Sequence, residues 1–225
     1  MAETTQQKDL DVSEVYTKTE LFVDKNKKPL MIGAGVLVAI VLGVIGYQQF
    51  VVKPKTAQAL EDIWKAQYYF EIDSLDLALN GDGQWMGFEA VADEYGSTPT
   101  GKLAHAYLGA IYMKKEEWQT AIDHYEQADV EDDVVRVMAV GNMGDCYVEL
   151  NDLEKAATQF EKAASLTTSD FTTPLYLMKA GIVHKQNGNW KAAAKAFRRV
   201  VTDFPNSPDV NQARKYAAEA EALAG

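Results

Sequence analysis

The hydrophobic pattern divides the chain into three parts: a polar tail (residues 1–28), an uncharged stretch from Pro29 to Val52, and a long region of amphipathic segments (residues 56–225). A helix needs roughly 20 mostly apolar residues to cross the hydrocarbon of a bilayer, and the 24 residues of this stretch meet that length. The stretch therefore predicts a transmembrane anchor. A cleaved signal peptide is the alternative, but its apolar core would be about 7–15 residues long.

Beyond the anchor, three segments share one spacing of small and aromatic residues. Each begins with a glycine (Gly109, Gly144 and Gly181), and these glycines lie 35 and 37 residues apart. Each glycine is followed at fixed offsets by an alanine and then by an aromatic residue: Ala121 and Tyr125, Ala156 and Phe160, Ala193 and Phe197. A period near 34 residues with these positions is typical of the tetratricopeptide repeat, a pair of antiparallel helices. Turns are expected around residues 116–118, 151–153 and 187–190.

A fourth, degenerate unit precedes these three. Phe88, Val91, Tyr95 and Pro99 repeat the spacing of Phe197, Val200, Phe204 and Pro208. We expect one helix over residues 56–79, a loop at residues 80–83 and a second helix over 84–95. The segment from Pro208 to Leu223 is expected to be a terminal capping helix. The predicted fold is therefore all-α: a tetratricopeptide-like helical repeat solenoid of about three and a half helix pairs plus a capping helix.

Composition narrows the range of functions. The formal net charge is −11, and nearly all of it lies after the anchor, which argues against nucleic acid as a partner. Cys146 is the only cysteine, so neither an internal disulfide nor a CxxC metal site is expected. The three histidines have no partner at metal-ligand spacing, and no phosphate loop or nucleophile elbow is present. We expect no enzyme activity, no cofactor and no metal.

The concave face of the repeats is the candidate binding surface. The first helix of each pair lines this face, and the sequence offers apolar, methionine-containing positions there. The candidate partner-binding residues are Leu103, Met113, Met138, Val148, Met178 and Ile182. The alternative is that another helix covers this face as ordinary core. The Lys, Asn and Arg set that clamps acidic peptide tails in some tetratricopeptide proteins is missing, and Asp145 is expected to repel such a tail.

The layout resembles the ancillary SecYEG translocon subunit family, single-span membrane-anchored proteins with tetratricopeptide repeats. The segment from Glu20 to Lys28 leads directly into a glycine-containing anchor that ends in Gly46-Tyr47, an alanine-rich helix follows, and the repeats come after it. The resemblance implies a periplasmic repeat domain at the inner membrane. It also implies translocon subunits, periplasmic chaperones and exported polypeptides as protein partners.

These observations together predict a membrane-anchored, non-catalytic protein-interaction scaffold that assists protein export or folding beside the translocon. Lys25, Lys27 and Lys28 precede the span and favour a cytoplasmic N-terminus, with the repeats on the periplasmic side. Two alternatives are a structural envelope-assembly or division protein that acts through self-association, and an organellar import receptor that faces the cytosol.

Overall fold

The computed structural model describes residues 22–225, and most of the predicted tail lies outside them. The chain forms two compact units, one ending at Lys53 and the other spanning Pro54–Gly225. In the first unit, α1 (Lys27–Tyr47) has no buried residue and is followed by a π-helical turn, Gln48–Val52. The most apolar 18-residue window of this helical stretch has a mean hydropathy of 2.5 and is entirely unburied. The helix is therefore long and apolar enough to cross a membrane, a property that signal sequences share.

Helices account for the regular structure of the second unit, and residues 22–225 contain no strand. The helices are α2 (Lys53–Glu71), α3 (Leu75–Asn80), α4 (Phe88–Tyr95), α5 (Pro99–Lys114), α6 (Trp118–Gln127), α7 (Asp133–Glu149), α8 (Leu153–Ser165), α9 (Thr172–Gln186), α10 (Trp190–Asp203) and α11 (Val210–Ala224). The predicted all-α repeat solenoid is thus confirmed. The pairs α5–α6, α7–α8 and α9–α10 are the three repeats read from the sequence.

The turns between paired helices follow from local chemistry. The residue at the centre of each turn has a positive φ angle: 60° at Glu116, 58° at Asn151 and 73° at Gly188. After the second and third of these turns, the side chains of Asp152 and Asn189 accept hydrogen bonds from backbone N–H groups of the next helix. Such caps satisfy donors that the first helical turn leaves free. The turn positions predicted from the sequence are confirmed.

Close helix packing explains why glycine recurs in the first helix of each pair. A Cβ atom at Gly181 would lie 2.4 Å from a carbon of the Phe197 ring, and one at Gly144 would lie 2.6 Å from the Phe160 ring. Neither ring is more than 1% exposed. The aromatic residue of the second helix therefore fills the space that the missing side chain leaves, as the spacing predicts.

The degenerate first unit has the same turn as the other three repeats, but at a different place from the one predicted. Asp73 has a φ angle of 59°, and its neighbour Ser74 donates a backbone hydrogen bond to the Tyr69 carbonyl oxygen, as Asp152 does to Tyr147. The prediction of one helix over 56–79 is therefore wrong, whereas the loop expected at residues 80–83 is present and follows α3. The helix ends at Glu71 because the chain turns at residues 72–74.

A six-residue insertion hid this repeat in the sequence. Counted from the turn residue, Ala66 and Ala78 occupy the positions of Gly109 and Ala121, but the aromatic Phe88 comes six residues later than Tyr125 does. The extra residues form the tight loop between α3 and α4. In that loop Gly81 pairs with Met86 and has a φ angle of 81°.

Two apolar clusters form the core of the second unit. One joins α2 to α5, with Phe88 and Leu108 among its fully buried residues. The other runs from α6 to α11. Tyr112 packs against both clusters, so the core continues through the first matched repeat.

Candidate partner-binding surface

The first helices of neighbouring repeats enclose an apolar pocket of about 240 Å³. The lining residues come from α2, α5, α6 and α7: Phe70, Leu103, Ala106, Tyr107, Ala110, Tyr125, Val135, Met138, Ala139 and Asn142. The α5 residues recur at i, i+3, i+4 and i+7, and so do those of α7. This spacing places each set on one side of its helix.

The size of the side chains explains why the pocket is open. Ala106, Ala110 and Ala139 lie between larger neighbours, and their short side chains leave space that Leu103 and Met138 do not fill. Met138 remains 51% exposed at the pocket mouth. A partner side chain that enters would exchange water for an apolar lining.

The polar side chains of the pocket take part in hydrogen bonds, and Tyr107 Oη accepts one of 3.4 Å from Gln67 Nε2. Asn142 Nδ2 donates a hydrogen bond of 2.8 Å to Tyr125 Oη, and that hydroxyl lies 4.0 Å from the sulfur of Met113. Burial raises the pKa of Tyr125 and keeps the phenol neutral. The pocket therefore presents a neutral surface, which suits an apolar ligand better than a charged one.

The six predicted binding residues lie in different surroundings. Leu103 and Met138 line the pocket together, and Met113 lies beneath it against Tyr125. Val148 packs against the main core, Met178 belongs to that core at 7% exposure, and Ile182 is 38% exposed on α9. A binding role for these residues stays a prediction. Met178 offers little surface, and near it on α9 the Tyr176 ring occupies the space left by the missing side chain of Gly141 on α7.

The acidic residue expected to repel acidic peptides is already paired. Lys179 Nζ lies 2.7–2.8 Å from both carboxylate oxygens of Asp145, and its ammonium also lies 5.3 Å from the centre of the Phe160 ring. The sequence analysis identified Asp145 but missed Lys179, which lies 34 residues further along the chain. The second and third repeats thus present a neutralised ion pair where a free carboxylate was expected.

Two histidines that the sequence leaves apart are neighbours in the structure. His105 Nδ1 and His124 Nδ1 are 3.1 Å apart, and the Tyr112 ring stacks on His124 at a centroid distance of 5.1 Å. Burial lowers the pKa of both histidines, and Glu89 partly opposes this effect. Residues 22–225 contain no group of three ligands that could hold a metal ion. The pair is therefore a packing contact between α5 and α6.

The single cysteine has the surroundings expected of a core residue. Cys146 is fully buried, and burial raises the pKa of its thiol to about 11. A thiol in such surroundings is a poor nucleophile at neutral pH.

The repeats that are found by comparison with known protein families coincide with helix pairs of the structure. Three family models, each described as tetratricopeptide repeat, match residues 104–133, 139–170 and 176–207. The matched segments correspond to α5–α6, α7–α8 and α9–α10. The chain therefore contains three tetratricopeptide repeats, a kind of repeat that suggests a protein-interaction scaffold. No curated protein matches the chain.

Proposed function

We propose that this protein is a membrane-anchored, non-catalytic scaffold whose concave face holds an apolar segment of another protein. The observation that supports this function best is the pocket lined by Leu103 and Met138, which is open, neutral and apolar. At about 240 Å³ it is smaller than the roughly 300–1,000 Å³ typical of small-molecule sites. It suits one or two side chains of a polypeptide.

The proposed affinity is modest. Apolar contact contributes about 25 cal/mol per Å² of buried surface, and ordering a flexible segment offsets much of that gain. A scaffold of this kind releases its clients readily. Weak, reversible binding suits a protein that meets unfolded chains in transit.

The proposed location is the periplasmic side of the inner membrane, beside the protein-export channel. Three features support it: α1 has the length and composition of a span, the lysines before the apolar stretch favour a cytoplasmic N-terminus, and the layout resembles the ancillary SecYEG subunits. In this proposal residues 29–52, in α1 and the π-helical turn after it, are the anchor. Residues 56–225 are the binding domain, and translocon subunits and periplasmic chaperones are the neighbours.

Site-specific crosslinking in membranes tests client binding. A photo-reactive residue at position 103 of the full chain is expected to crosslink to an export substrate arrested during translocation. The substitution Met138→Glu places a charge at the pocket mouth and is expected to lower the yield at least fivefold. Val134→Glu is the matched control, because Val134 is on the same helix, is 67% exposed and does not line the pocket.

Equal crosslinking in Met138→Glu and Val134→Glu, with helix content unchanged, would show that the pocket does not hold the client. Topology needs a separate measurement. Protease is expected to cut the repeat domain in intact spheroplasts, and protection until lysis would place the domain on the cytoplasmic side.

A further inference from the structure

Three aromatic rings line the pocket between the first helices. Phe70, Tyr107 and Tyr125 reach it from α2, α5 and α6. Tyr107 stacks on the fully buried Phe88 at a centroid distance of 4.6 Å and meets Phe70 edge to face at 5.2 Å. A ring that enters the pocket therefore extends an existing aromatic network. Such contacts add to the gain from burying apolar area, because the edge and the face of a ring carry opposite partial charges.

The volume of the pocket also favours a large flat side chain. An apolar cavity of about 150 Å³ holds benzene, and this pocket measures about 240 Å³. It therefore has room for the ring of a phenylalanine, tyrosine or tryptophan together with its Cβ atom. A leucine or valine would leave part of the space without contacts. At the mouth, the exposed thioether of Met138 can pack against the edge of a bound ring.

Charged residues form a row across three repeats at one end of the concave face. Glu71, Lys114 and Glu149 are equivalent, because each lies two positions before the turn residue of its repeat. Lys114 Nζ lies 2.6 Å from Asp73 Oδ1 and is therefore neutralised. Glu71 and Glu149 are exposed and belong to no ion pair among the residues that the structure describes. The row therefore carries a net negative charge.

The two helices on either side of the pocket, α5 and α7, offer a partner no unpaired cation. Lys102 pairs with Asp129 at 2.9 Å, Arg136 pairs with Asp133, and Lys114 is paired as described. An acidic segment on this face would meet unpaired carboxylates and no available positive charge. A basic residue would gain a partner, so the charges of the face complement a cationic segment.

We propose that the partner of this scaffold is a polypeptide segment with a large aromatic residue, which enters the pocket, and a lysine or arginine about three residues away, which pairs with Glu149. The inference rests on the proposed function and names the chemistry of its client. Asn142 and Glu149 lie on one side of α7, seven residues and about 10 Å apart. Three residues of extended chain also span about 10 Å. One segment can therefore reach the pocket and the carboxylate together.

Peptide binding to the full chain in nanodiscs tests the proposal. Three short glycine–serine peptides, acetylated and amidated, carry tyrosine with lysine three residues later, leucine with the same lysine, or tyrosine with glutamate. The first is expected to shift the methyl signals of Met113 and Met138 in NMR spectra of methionine-labelled protein, with a Kd at least threefold lower than those of the other two. Equal affinity of the tyrosine and leucine peptides, or of the lysine and glutamate peptides, would overturn the proposal, as would the absence of any shift.

A single charge change separates the effect of Glu149 from that of the overall negative charge. Glu149→Gln is expected to reduce the preference for the lysine peptide over the glutamate peptide at least twofold. Glu154→Gln is the matched control, because Glu154 is also exposed but lies on α8, which does not line the pocket. Equal effects of the two substitutions would overturn the assigned pairing.

Filling the pocket tests the aromatic site by itself. Ile182 occupies the position of Ala110 in the third repeat, so Ala110→Ile introduces a residue that the fold already carries at that place. It is expected to weaken binding of the tyrosine–lysine peptide at least fivefold, whereas Ala218→Ile on the exposed side of α11 is not. Unchanged binding in Ala110→Ile, with helix content unchanged, would overturn the proposal. The comparison of the three peptides on the unmodified protein needs no variant.

The outcome is separable from that of the proposed function. If Met138→Glu lowers client crosslinking at position 103 but the three peptides bind equally, the scaffold function stands and only the chemistry of its partner is refuted. If Met138→Glu leaves client crosslinking unchanged, the proposed function itself is refuted.

Discussion

The two ends of the repeat stack are built alike on their inner side and differ on their outer side. α2 buries Ala59, Ile63 and Ala66 at i, i+4 and i+7, and α11 buries Ala213, Ala217 and Ala220 at the same spacing. On the outside α2 exposes large aromatic and aliphatic residues. α11 exposes Arg214, Lys215, Glu219 and Glu221, with Leu223 as its one large apolar residue that is exposed.

The polar outer side of α11 is typical of the terminal helix of a repeat stack, whereas the outer side of α2 is not. Polar contacts hold α11 to the last repeat, because the Arg198 guanidinium pairs with Glu221 and Lys185 Nζ lies 2.7 Å from Glu219. These ion pairs attach α11 to the last repeat, as expected of a capping helix. At the other end, the exposed aromatic residues of α2 include Trp64, which contacts Trp85 of the inserted loop instead of a charged residue of a neighbouring repeat.

The largest expected effect comes from the buried aromatic residue of each end repeat. Phe88→Ala and Phe197→Ala each remove a fully buried ring, and each is expected to destabilise the protein by about 3–5 kcal/mol. Urea unfolding of the full chain in detergent, followed by circular dichroism, measures this loss. Phe171→Ala is the control, because that ring is 74% exposed.

Hydrogen exchange on these two variants sharpens the comparison of the ends. Because each repeat contacts only its neighbours, Phe197→Ala is expected to lower protection mainly in α10 and α11, and Phe88→Ala mainly in α2–α5. Uniform loss along the stack in both variants would show that the ends unfold together.

A smaller effect is expected from substitutions at Gly181 and Ala66. These residues occupy equivalent positions in the last and first repeats and differ by one methyl group. Gly181→Ala gains helix propensity but places a Cβ atom 2.4 Å from the buried Phe197 ring, so a net loss of about 1–2 kcal/mol is expected. Ala66→Gly at the equivalent N-terminal position is also expected to destabilise, by about 1 kcal/mol, because it removes a buried methyl group and loosens the helix. Thermal unfolding measures both values. Stabilisation by Gly181→Ala would contradict the role assigned to the glycine.

The smallest expected effect is a dependence of folding stability on pH, which arises from two histidines in the N-terminal half of the stack. Burial lowers the pKa of His105 and His124 below the ordinary value of 6.5, so the unfolded chain takes up protons first. Stability is therefore complete above about pH 6.5 and decreases as the pH falls through that value towards the lowered pKa of the folded state. Glu89 and Asp93 of α4 and Asp123 of α6 face the pair and reduce the effect.

Chemical denaturation between pH 7.5 and 5.5 measures this dependence. The double variant His105→Gln with His124→Gln is expected to be less sensitive to pH in this range than the wild type. An unchanged slope would show that the histidines are not its source. Hydrogen exchange at pH 5.5 is expected to show the loss in α4–α6 rather than in α9–α11.

Several parts of the candidate surface could be predicted from the sequence because they depend on position within a helix. Leu103 and Met138 fall at equivalent places in successive repeats, and both line the pocket. The equivalent residue of the third repeat is Leu175, which is 38% exposed, whereas Met178 lies at the position of Ala106 and Gly141 and is buried. The helical periodicity predicts on which side of a helix a residue lies. The burial of its side chain depends on the residues that pack against it from another repeat.

The sequence by itself determined what is local or repeats along the chain. An uncharged run of 24 residues has the length of a span, and a glycine, an alanine and an aromatic residue at fixed offsets define a helix pair in each matched repeat. These features follow from the helical period and from hydrogen bonds between near neighbours.

Only the tertiary structure decided what depends on contacts between distant residues. It paired Lys179 with Asp145 and His105 with His124, and it moved the first turn to Asp73. The six-residue insertion breaks the spacing on which sequence comparison relies, although the fold restores the equivalent positions in space. It also left one side of α2 bare, because whether an apolar face is buried depends on what packs against it and not on its own residues.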